Sequence, residues 1–221
     1  MVWERRKGPR SAPELRAAYN ERHLRGFLRD QDRFYRSMAR RMAPPPGAAV
    51  LDVGCGGGFL LREMPGALAV GVEISDVAIQ EARRSAPRAC LVLAPGERLP
   101  LPDGSFDRVA CLGNLEHFLD PAAGVREMAR VLRPDGEAWI LLPNSYYSGD
   151  IWRVIRKGYG PDHHQPVDRF ATLNEWRDFL QENGLEVIRI HPYNRFKWWK
   201  RLLPRALAYH FLYRCTPAAR R

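Results

Sequence analysis

The sequence predicts an α/β fold with a doubly wound, mostly parallel sheet, N-terminal helices and an insertion after the fifth strand. Apolar runs alternate with helical stretches between residues 48 and 190, and this spacing implies right-handed crossovers between parallel strands. The first apolar run, residues 50–53, leads into four glycines within five residues. A strand of this kind suits burial on both faces, and its glycines let the backbone approach a ligand.

Residues 1–47 are predicted to form a helical cap. Between residues 12 and 42 apolar side chains recur at three- and four-residue steps among charges, which is typical of one or two amphipathic helices, broken near Gly26. Three prolines and a glycine at residues 44–47 end this region, because proline cannot continue a helix. The ligand-binding domain is therefore expected to span residues 48–193.

The other predicted core elements follow the glycine turn in regular order. Residues 59–64 can start a helix, and further strands are expected at residues 67–74, 89–94, 106–112 and 137–142. Helices are expected at residues 76–85, with Ser75 as the N-cap, and from the Asp120-Pro121 pair to Arg133, followed by a turn at residues 134–136.

The regular rhythm stops after residue 144. Residues 145 to about 170 are largely aromatic and irregular apart from a short helix at 151–157, and an insertion of this kind often builds a substrate pocket. Thr172 and Glu175 form a capping box for a helix that runs through Glu182. A sixth strand is expected at residues 185–190. The basic, aromatic tail, residues 194–221, shows no clear alternating run for another strand.

The charge gives only a weak indication of nucleic-acid binding. The net charge is +10, but nearly all of the positive charge is arginine spread from end to end, with four lysines in the chain, at positions 7, 157, 197 and 200. Genome composition explains such an arginine bias at least as well as a binding surface does.

Cysteine spacing and hydropathy indicate a cytoplasmic protein. Cys55, Cys90, Cys111 and Cys215 form no Cys-x-x-Cys pair, so we expect reduced, mostly buried thiols and neither a zinc site nor a disulfide framework. The sequence contains no run of eighteen apolar residues, and its first seven residues lack the apolar segment of a secretory signal.

Spacing distinguishes the kinds of site that a glycine turn can form. A P-loop is excluded because no Gly-Lys-Ser/Thr follows, and Gly-x-Gly-x-x-Gly fails in both registers, where Phe59 or Leu61 would have to be glycine. The pattern acidic-x-Gly-x-Gly-x-Gly does fit, with Asp52, Gly54, Gly56 and Gly58. A glycine-rich turn that binds no ligand is the alternative at this point.

The residues around this turn resemble the class I S-adenosylmethionine-dependent methyltransferases, in particular the methyltransferase type 11 subgroup. The similarity extends over residues 50–144 and includes Gly71-Val72-Glu73-Ile74-Ser75, the segment 96–107, Gly113-Asn114-Leu115-Glu116-His117-Phe118 and the segment 131–136. The resemblance implies S-adenosylmethionine as cofactor and no metal. The implied cofactor-binding residues are Asp52, Gly54, Cys55, Gly56, Gly58, Glu73, Ile74, Gly96, Glu97, Asn114 and Leu115.

The same resemblance implies roles for individual residues. Glu73 ends the second strand about twenty residues after the glycine turn, the usual offset for an acid that accepts hydrogen bonds from a ribose diol. Pro95 stands where the family usually has an aspartate for the adenine amino group, so that contact must come from the main chain near Gly96 and Glu97 or from another residue. Asn114 and Leu115 should face the methionine end of the donor.

Catalytic residues are less clearly marked. His163 and His164 lie in the insertion, where one of them could act as a general base, hydrogen-bond ordinarily, or bind a metal by accident. His117, beside Glu116, could act as a base or have a structural role, and the structural role is slightly favoured.

The tail allows two interpretations. Phe196, Trp199, Leu202 and Leu203 fall on one helical face with cations on the other, which suits either a peripheral membrane contact or a helix that packs on the sheet. Packing is favoured. The absence of a clear final strand here departs from the family, in which an antiparallel strand commonly ends the sheet.

The expected function is methyl transfer to a small or lipid-like acceptor, most often at oxygen. Methylation of RNA or DNA is an alternative that the charge supports, but Leu112-Gly113-Asn114-Leu115 stands where amino-directed nucleic-acid enzymes carry Asn/Asp-Pro-Pro-aromatic. A non-catalytic donor-binding or membrane-attached partner protein is the third possibility.

Overall fold

A computed structural model describes residues 3–6, 8–27, 32–158, 165–194 and 204–219. The strands are β1 Trp3–Arg6, β2 Ala49–Val53, β3 Leu68–Glu73, β4 Cys90–Leu93, β5 Phe106–Leu112, β6 Leu132–Pro143, β7 Val167–Phe170, β8 Leu185–Tyr193 and β9 His210–Pro217. The α-helices are α1 Ala12–Arg22, α2 Asp32–Met42, α3 Phe59–Arg62, α4 Asp76–Ser85, α5 Pro121–Val131, α6 Ser148–Lys157 and α7 Leu173–Glu182.

Seven strands form one sheet in the order β4-β3-β2-β5-β6-β9-β8. The first five are mutually parallel, and β9 runs antiparallel to both of its neighbours. This is the doubly wound, mostly parallel sheet that the sequence predicts. A separate two-stranded ribbon pairs β1 with β7 in antiparallel register.

The expectation that the tail contains no closing strand is wrong. β9 lies within the tail and pairs with β6 from Ala138 to Pro143. Phe211, Leu212 and Tyr213 are three consecutive buried residues, because both faces of the sheet are covered here. A strand covered on both sides shows no alternation of apolar and polar residues.

Three further elements differ from the prediction. β1 lies in the N-terminal region that was expected to be a helical cap, because its residues pair with β7 instead. β6 begins at Leu132 and so includes residues 134–136, where a turn was expected. Its register with β5 is interrupted there, since Phe106 pairs with Leu132 whereas Arg108 pairs with Glu137. The predicted turn is thus an irregularity at the start of β6. The ribbon strand β7 was not predicted, since two of its four residues, Asp168 and Arg169, are buried charges.

Helices cover both faces of the sheet. α2 packs Met38 and Met42 against Val50, Trp139 and Leu212 on one face. The opposite face holds the larger cluster, which includes Leu51, Val109, Met128, Trp176 and Leu180 from strands and from helices α5 and α7. The predicted break near Gly26 is present, with φ of 81° at that glycine, and it separates α1 from the part of the cap that lies on the sheet.

Candidate active site

The glycine turn joins β2 to α3, which has only four residues. Gly54, Gly56 and Gly58 all have positive φ, at 76°, 51° and 73°, where L side chains are strained. Added Cβ atoms would also meet protein neighbours: at Gly54 the side chain of Asn114 at 2.6 Å, and at Gly58 the Ala82 Cα at 3.2 Å. Backbone conformation and close packing therefore both require glycine in this turn.

Two buried carboxyl groups lie beneath the turn. Glu73 accepts hydrogen bonds from the backbone N–H of Gly56 at 3.0 Å and of Ser75 at 2.9 Å, one on each carboxyl oxygen. Burial raises the pKa of Glu73, and burial together with the charge of Glu73 raises the pKa of Asp52 to about 7. Each oxygen of Glu73 keeps further lone-pair capacity for a hydroxyl donor.

A cavity of about 580 Å³ opens over this turn at the carboxyl ends of the strands, where open α/β sheets usually bind ligands. Nine of the predicted cofactor-binding residues line it: Asp52, Gly54, Cys55, Gly56, Glu73, Ile74, Gly96, Glu97 and Asn114. Gly58 packs under α4 and Leu115 is fully buried in the core, and neither is among the described lining residues.

Two of these side chains shape loops. Asn114 donates from Nδ2 to the Gly54 carbonyl at 2.9 Å, so its amide fixes the glycine turn. Glu97 accepts from the Leu119 N–H at 2.7 Å. Both contacts join the loop after β5 to the side of the cavity that Gly54 and Glu97 form.

The N-terminal cap supplies lining residues that the sequence did not reveal, among them Tyr19, Arg22 and His23. α1 is held over the cavity by Arg16, whose Nε donates to Asp76 at 2.7 Å. These residues reach the site through packing of α1 against α4, and no local motif marks them.

His23 has a defined tautomer. The Ser75 hydroxyl donates its hydrogen to Asn20 at 2.6 Å, so the nearby His23 Nδ1, at 3.0 Å, must carry the hydrogen and donate to Ser75. Burial and the neighbouring Arg22 lower the pKa of His23 to about 4. The ring is therefore neutral near pH 7, with Nε2 as an acceptor.

Glu116 and His117 form a buried pair at the other side of the cavity. His117 Nδ1 lies 2.6 Å from the Val167 carbonyl oxygen, which can only accept, so Nδ1 carries the hydrogen. Nε2 lies 3.7 Å from Glu116 Oε1, and Nδ1 is also 3.4 Å from the Asp168 carboxylate. Glu116 Oε2 has no hydrogen-bond partner among the described residues.

Burial raises the pKa of Glu116 to about 8, and the charge of Asp168 adds to the effect. In the unfolded chain the carboxyl ionises near pH 4.5, so unfolding releases a proton between these values and stability must fall as the pH rises through them. Glu116→Gln should remove this component, up to about 1.4 kcal/mol per pH unit. In thermal unfolding measured from pH 4.5 to pH 8, the melting temperature of the variant should rise relative to that of the wild type as the pH rises. A difference in melting temperature that does not change with pH would contradict the neutral state of Glu116. Glu186→Gln, at an exposed position, is the control.

Buried Arg169 supports the loop that carries this pair. It donates to the main-chain carbonyls of Glu116, Phe118 and Leu119, and its guanidinium lies 2.7 Å from the Glu4 carboxylate of β1. The β1–β7 ribbon is thereby attached to the loop after β5. His163 and His164 lie outside the described residues, so their catalytic roles stay predictions.

Comparison with known proteins identifies the family. A family model described as a methyltransferase domain matches residues 51–140. A demethylmenaquinone methyltransferase of Corynebacterium kroppenstedtii is 38% identical over 76% of this chain and 77% of that protein. The chain belongs to the class I S-adenosylmethionine-dependent methyltransferases.

Other relatives agree with this membership. A ubiquinone biosynthesis O-methyltransferase of Aromatoleum aromaticum is 33% identical over 68% of this chain and 69% of its own length. A 27-O-demethylrifamycin SV methyltransferase of Amycolatopsis mediterranei is 32% identical over 70% of this chain, and the match spans 61% of that protein. This chain thus covers less than two thirds of the rifamycin enzyme.

Solved structures show the same fold in more distant methyltransferases. Magnesium protoporphyrin IX methyltransferase from Synechocystis, solved with bound SAH, aligns with a TM-score of 0.69 over 94% of this chain and all of that chain, at 18% identity. A methyltransferase structure from Thermotoga maritima aligns with a TM-score of 0.69, covering 93% of this chain and 99% of that one, at 20% identity.

The site of this methyltransferase fits its family's donor. Among the described residues that line the cavity, Arg22 is the one lysine or arginine, whereas six are acidic: Asp52, Glu73, Glu97, Glu116, Asp150 and Asp168. The donor carries a cationic sulfonium, so an acidic cavity complements it. Glu73 can still accept hydrogen bonds from hydroxyl groups. The three turn glycines with positive φ leave the backbone open to a ligand.

Glu73 and Asp52 should contribute directly to donor affinity. Glu73→Ala and Asp52→Ala are each expected to weaken S-adenosylmethionine binding by about 1.5–3 kcal/mol, the scale of a hydrogen bond to a charged group. Isothermal titration calorimetry measures this, with exposed Glu186→Gln as the matched control. Unchanged affinity in both alanine variants would mean that the donor does not bind at this turn.

Two structural findings limit other assignments. Within the described ranges no group of three or more His, Cys, Asp or Glu side chains is arranged to hold a metal ion. The helices in those ranges are too short or too polar to cross a membrane. Cys55, Cys111 and Cys215 are buried free thiols, as expected, and Cys90 is exposed.

Proposed function

We propose that this methyltransferase transfers the donor methyl group to a hydroxyl oxygen of a small or lipid-like acceptor. Support for oxygen comes from the relatives named as a ubiquinone biosynthesis O-methyltransferase and a 27-O-demethylrifamycin SV methyltransferase. The demethylmenaquinone methyltransferase supports a lipid-like acceptor, and its name gives no acceptor atom. The observation that carries the proposal is the Glu116–His117 pair, which lines the same cavity as the donor turn.

The pair can take the proton that methylation of a hydroxyl releases. When bound, S-adenosylmethionine supplies an electrophilic methyl group on sulfur. Glu116 Oε2, which has no hydrogen-bond partner among the described residues, would take the proton that the acceptor hydroxyl loses when it is methylated. The proton that Glu116 already carries would pass to His117 Nε2, which lies 3.7 Å from Oε1, once the two groups close to hydrogen-bond distance, and Glu116 would stay neutral.

Charge is conserved in this step. Methyl transfer would neutralise the donor, and the proton taken from the acceptor would place an equal positive charge on His117, whose Nδ1 lies 3.4 Å from the Asp168 carboxylate. An adjacent carboxylate stabilises an imidazolium. His117 therefore serves as the final proton acceptor, and Val167 and Asp168 fix its orientation.

The acidic lining also favours an uncharged acceptor. A phosphate or carboxylate on the acceptor beside Glu116 would lie near the Asp168 charge and in the buried setting that already keeps Glu116 neutral, so an anion is disfavoured there. Tyr19 adds a buried hydroxyl with no hydrogen-bond partner among the described residues, which suits an acceptor rich in hydroxyl groups. A nucleic-acid acceptor is correspondingly disfavoured.

A labelled-donor assay tests this proposal. The protein is incubated with methyl-labelled S-adenosylmethionine and a panel of catechols and prenylated phenols, with anilines and benzoates of matched size as controls, and products are read by mass spectrometry. We expect label in methyl ethers. Label confined to nitrogen, carbon or RNA would contradict the hydroxyl assignment, and donor binding without transfer to cell-extract fractions would favour a non-catalytic role.

A further inference from the structure

Helix α6 is unusual in this fold because none of its ten residues is buried. Trp152, Val154 and Ile155 are 63%, 47% and 70% exposed. Burying large apolar side chains is normally favourable, and a cluster of exposed ones typically marks an interaction surface.

The helix separates apolar and cationic side chains onto different faces. At about 100° per residue, Ile151, Trp152 and Ile155 project from one side of the helix. The exposed cations Arg153 and Lys157 project from the opposite side, and exposed Arg156 lies beside Trp152 at the boundary between the two faces. A short helix with tryptophan on its apolar face and cations on the polar face has the composition of an interfacial helix.

α6 stands at the rim of the cavity. Asp150, in its first turn, lines the cavity. Just before the helix, the Tyr147 ring packs edge-on against Tyr209, with 4.9 Å between centroids, and the Asn144 side-chain amide donates to the carbonyls of Ala206 and Ala208. The start of the helix is thus anchored to the segment before β9, and its remaining turns extend outward.

We propose that α6 is the surface by which this protein docks on an anionic lipid bilayer, with Trp152 and Ile155 in the interface and the three cations against lipid headgroups. The charge decides between possible occupants, since a second copy of this chain, at +10, would repel the cations, whereas anionic lipids attract them. This docking surface places the cavity rim at the bilayer and does not depend on which acceptor atom is methylated.

Vesicle co-sedimentation of the full chain tests the proposal. Vesicles of phosphatidylcholine alone are compared with equal mixtures of phosphatidylcholine and phosphatidylglycerol, at low and high salt. We expect binding to the mixed vesicles only, weakening with salt. The double variant Trp152→Ala/Ile155→Ser should abolish sedimentation. Because the chain has six tryptophans, the blue shift of wild-type fluorescence on binding should be lost in Trp152→Phe.

Charge variants supply a graded readout. Replacing the three cations of α6 with glutamine should reduce partitioning by about fivefold per cation removed. The control for charge is Arg83→Gln/Arg84→Gln/Arg88→Gln, three exposed arginines around the end of α4. The control for apolar exposure is Ile188→Ser on β8, where the isoleucine is 48% exposed.

Three results would overturn the proposal. One is no binding to mixed vesicles by the folded wild type, with folding checked by donor calorimetry. Another is loss of binding in Trp198→Ala/Trp199→Ala while the α6 variants still bind, which would assign docking to the tail. The third is a dimer in sedimentation velocity that Trp152→Ala/Ile155→Ser dissociates, which would make α6 a contact between copies.

Discussion

Replacing His117 with alanine is expected to lower kcat about 10²- to 10⁴-fold, the range that general acid–base catalysis contributes, with the donor Kd unchanged. The reason is that Nε2 of this ring is the final proton acceptor in the proposed relay, while the glycine turn is held by Asn114 and Glu73. Initial rates with a hydroxyl acceptor that the wild type methylates give kcat, and calorimetry with S-adenosylmethionine gives the donor Kd. His191→Ala on β8 is the control, since His191 is not among the described residues that line the cavity.

A structural role for His117 would give a different result. The Nδ1 bond to Val167 also joins β7 to the loop after β5, so the variant could lose activity by loosening that loop. In that case the melting temperature and kcat would fall together, and added imidazole would restore neither. Rescue of kcat by imidazole in a variant that melts near the wild-type temperature would establish proton transfer, and Glu116→Gln should then lower kcat as well.

Replacing Arg169 with alanine should lower the free energy of unfolding by about 3 kcal/mol, the scale of removing one partner of a buried ion pair. Arg169 is 4% exposed, and its loss leaves two buried carbonyl oxygens and one partly buried one without this donor. Urea denaturation monitored by tryptophan fluorescence measures the change.

The partner carboxylate provides the control for this prediction. Glu4 is 37% exposed, so water can solvate it when the pair is broken, and Glu4→Gln should cost less than about 1 kcal/mol. Equal losses in both variants would mean that the ion pair, not the carbonyl contacts, supplies the stabilisation. Arg169→Lys should restore little, because an ammonium cannot reach the carbonyls and Glu4 in the same fixed geometry.

The central strands and their caps could be predicted because their signals are local. β5 was predicted at its observed bounds, Ser75 caps α4 by accepting from the Ala78 N–H, and Thr172 with Glu175 forms the expected capping box. β7 and β9 could not, since one is held by buried charges and the other is covered on both faces. β7 and β9 are determined by tertiary packing, which leaves no local pattern in the sequence.

The site divides in the same way. Asp52, Glu73 and Asn114 follow strands at offsets that the fold determines, so sequence spacing reached them. Tyr19 and His23 enter the cavity from α1, some fifty residues from Asp76 and Ser75, to which that helix is bonded. Only the packing of α1 on α4 brings them there.

The position of β9 in the sheet has a consequence for synthesis of the protein. β9 follows β8 in the chain but lies between β6 and β8, and it is the one described strand that pairs with β8. Strands β2 to β6 can pair as they leave the ribosome, where domains fold from the N-terminal side. β8 must wait for residues 210–217. A nascent chain can therefore assemble the donor turn early, while the wall of the cavity that includes His210 is completed only when the last strand is inserted.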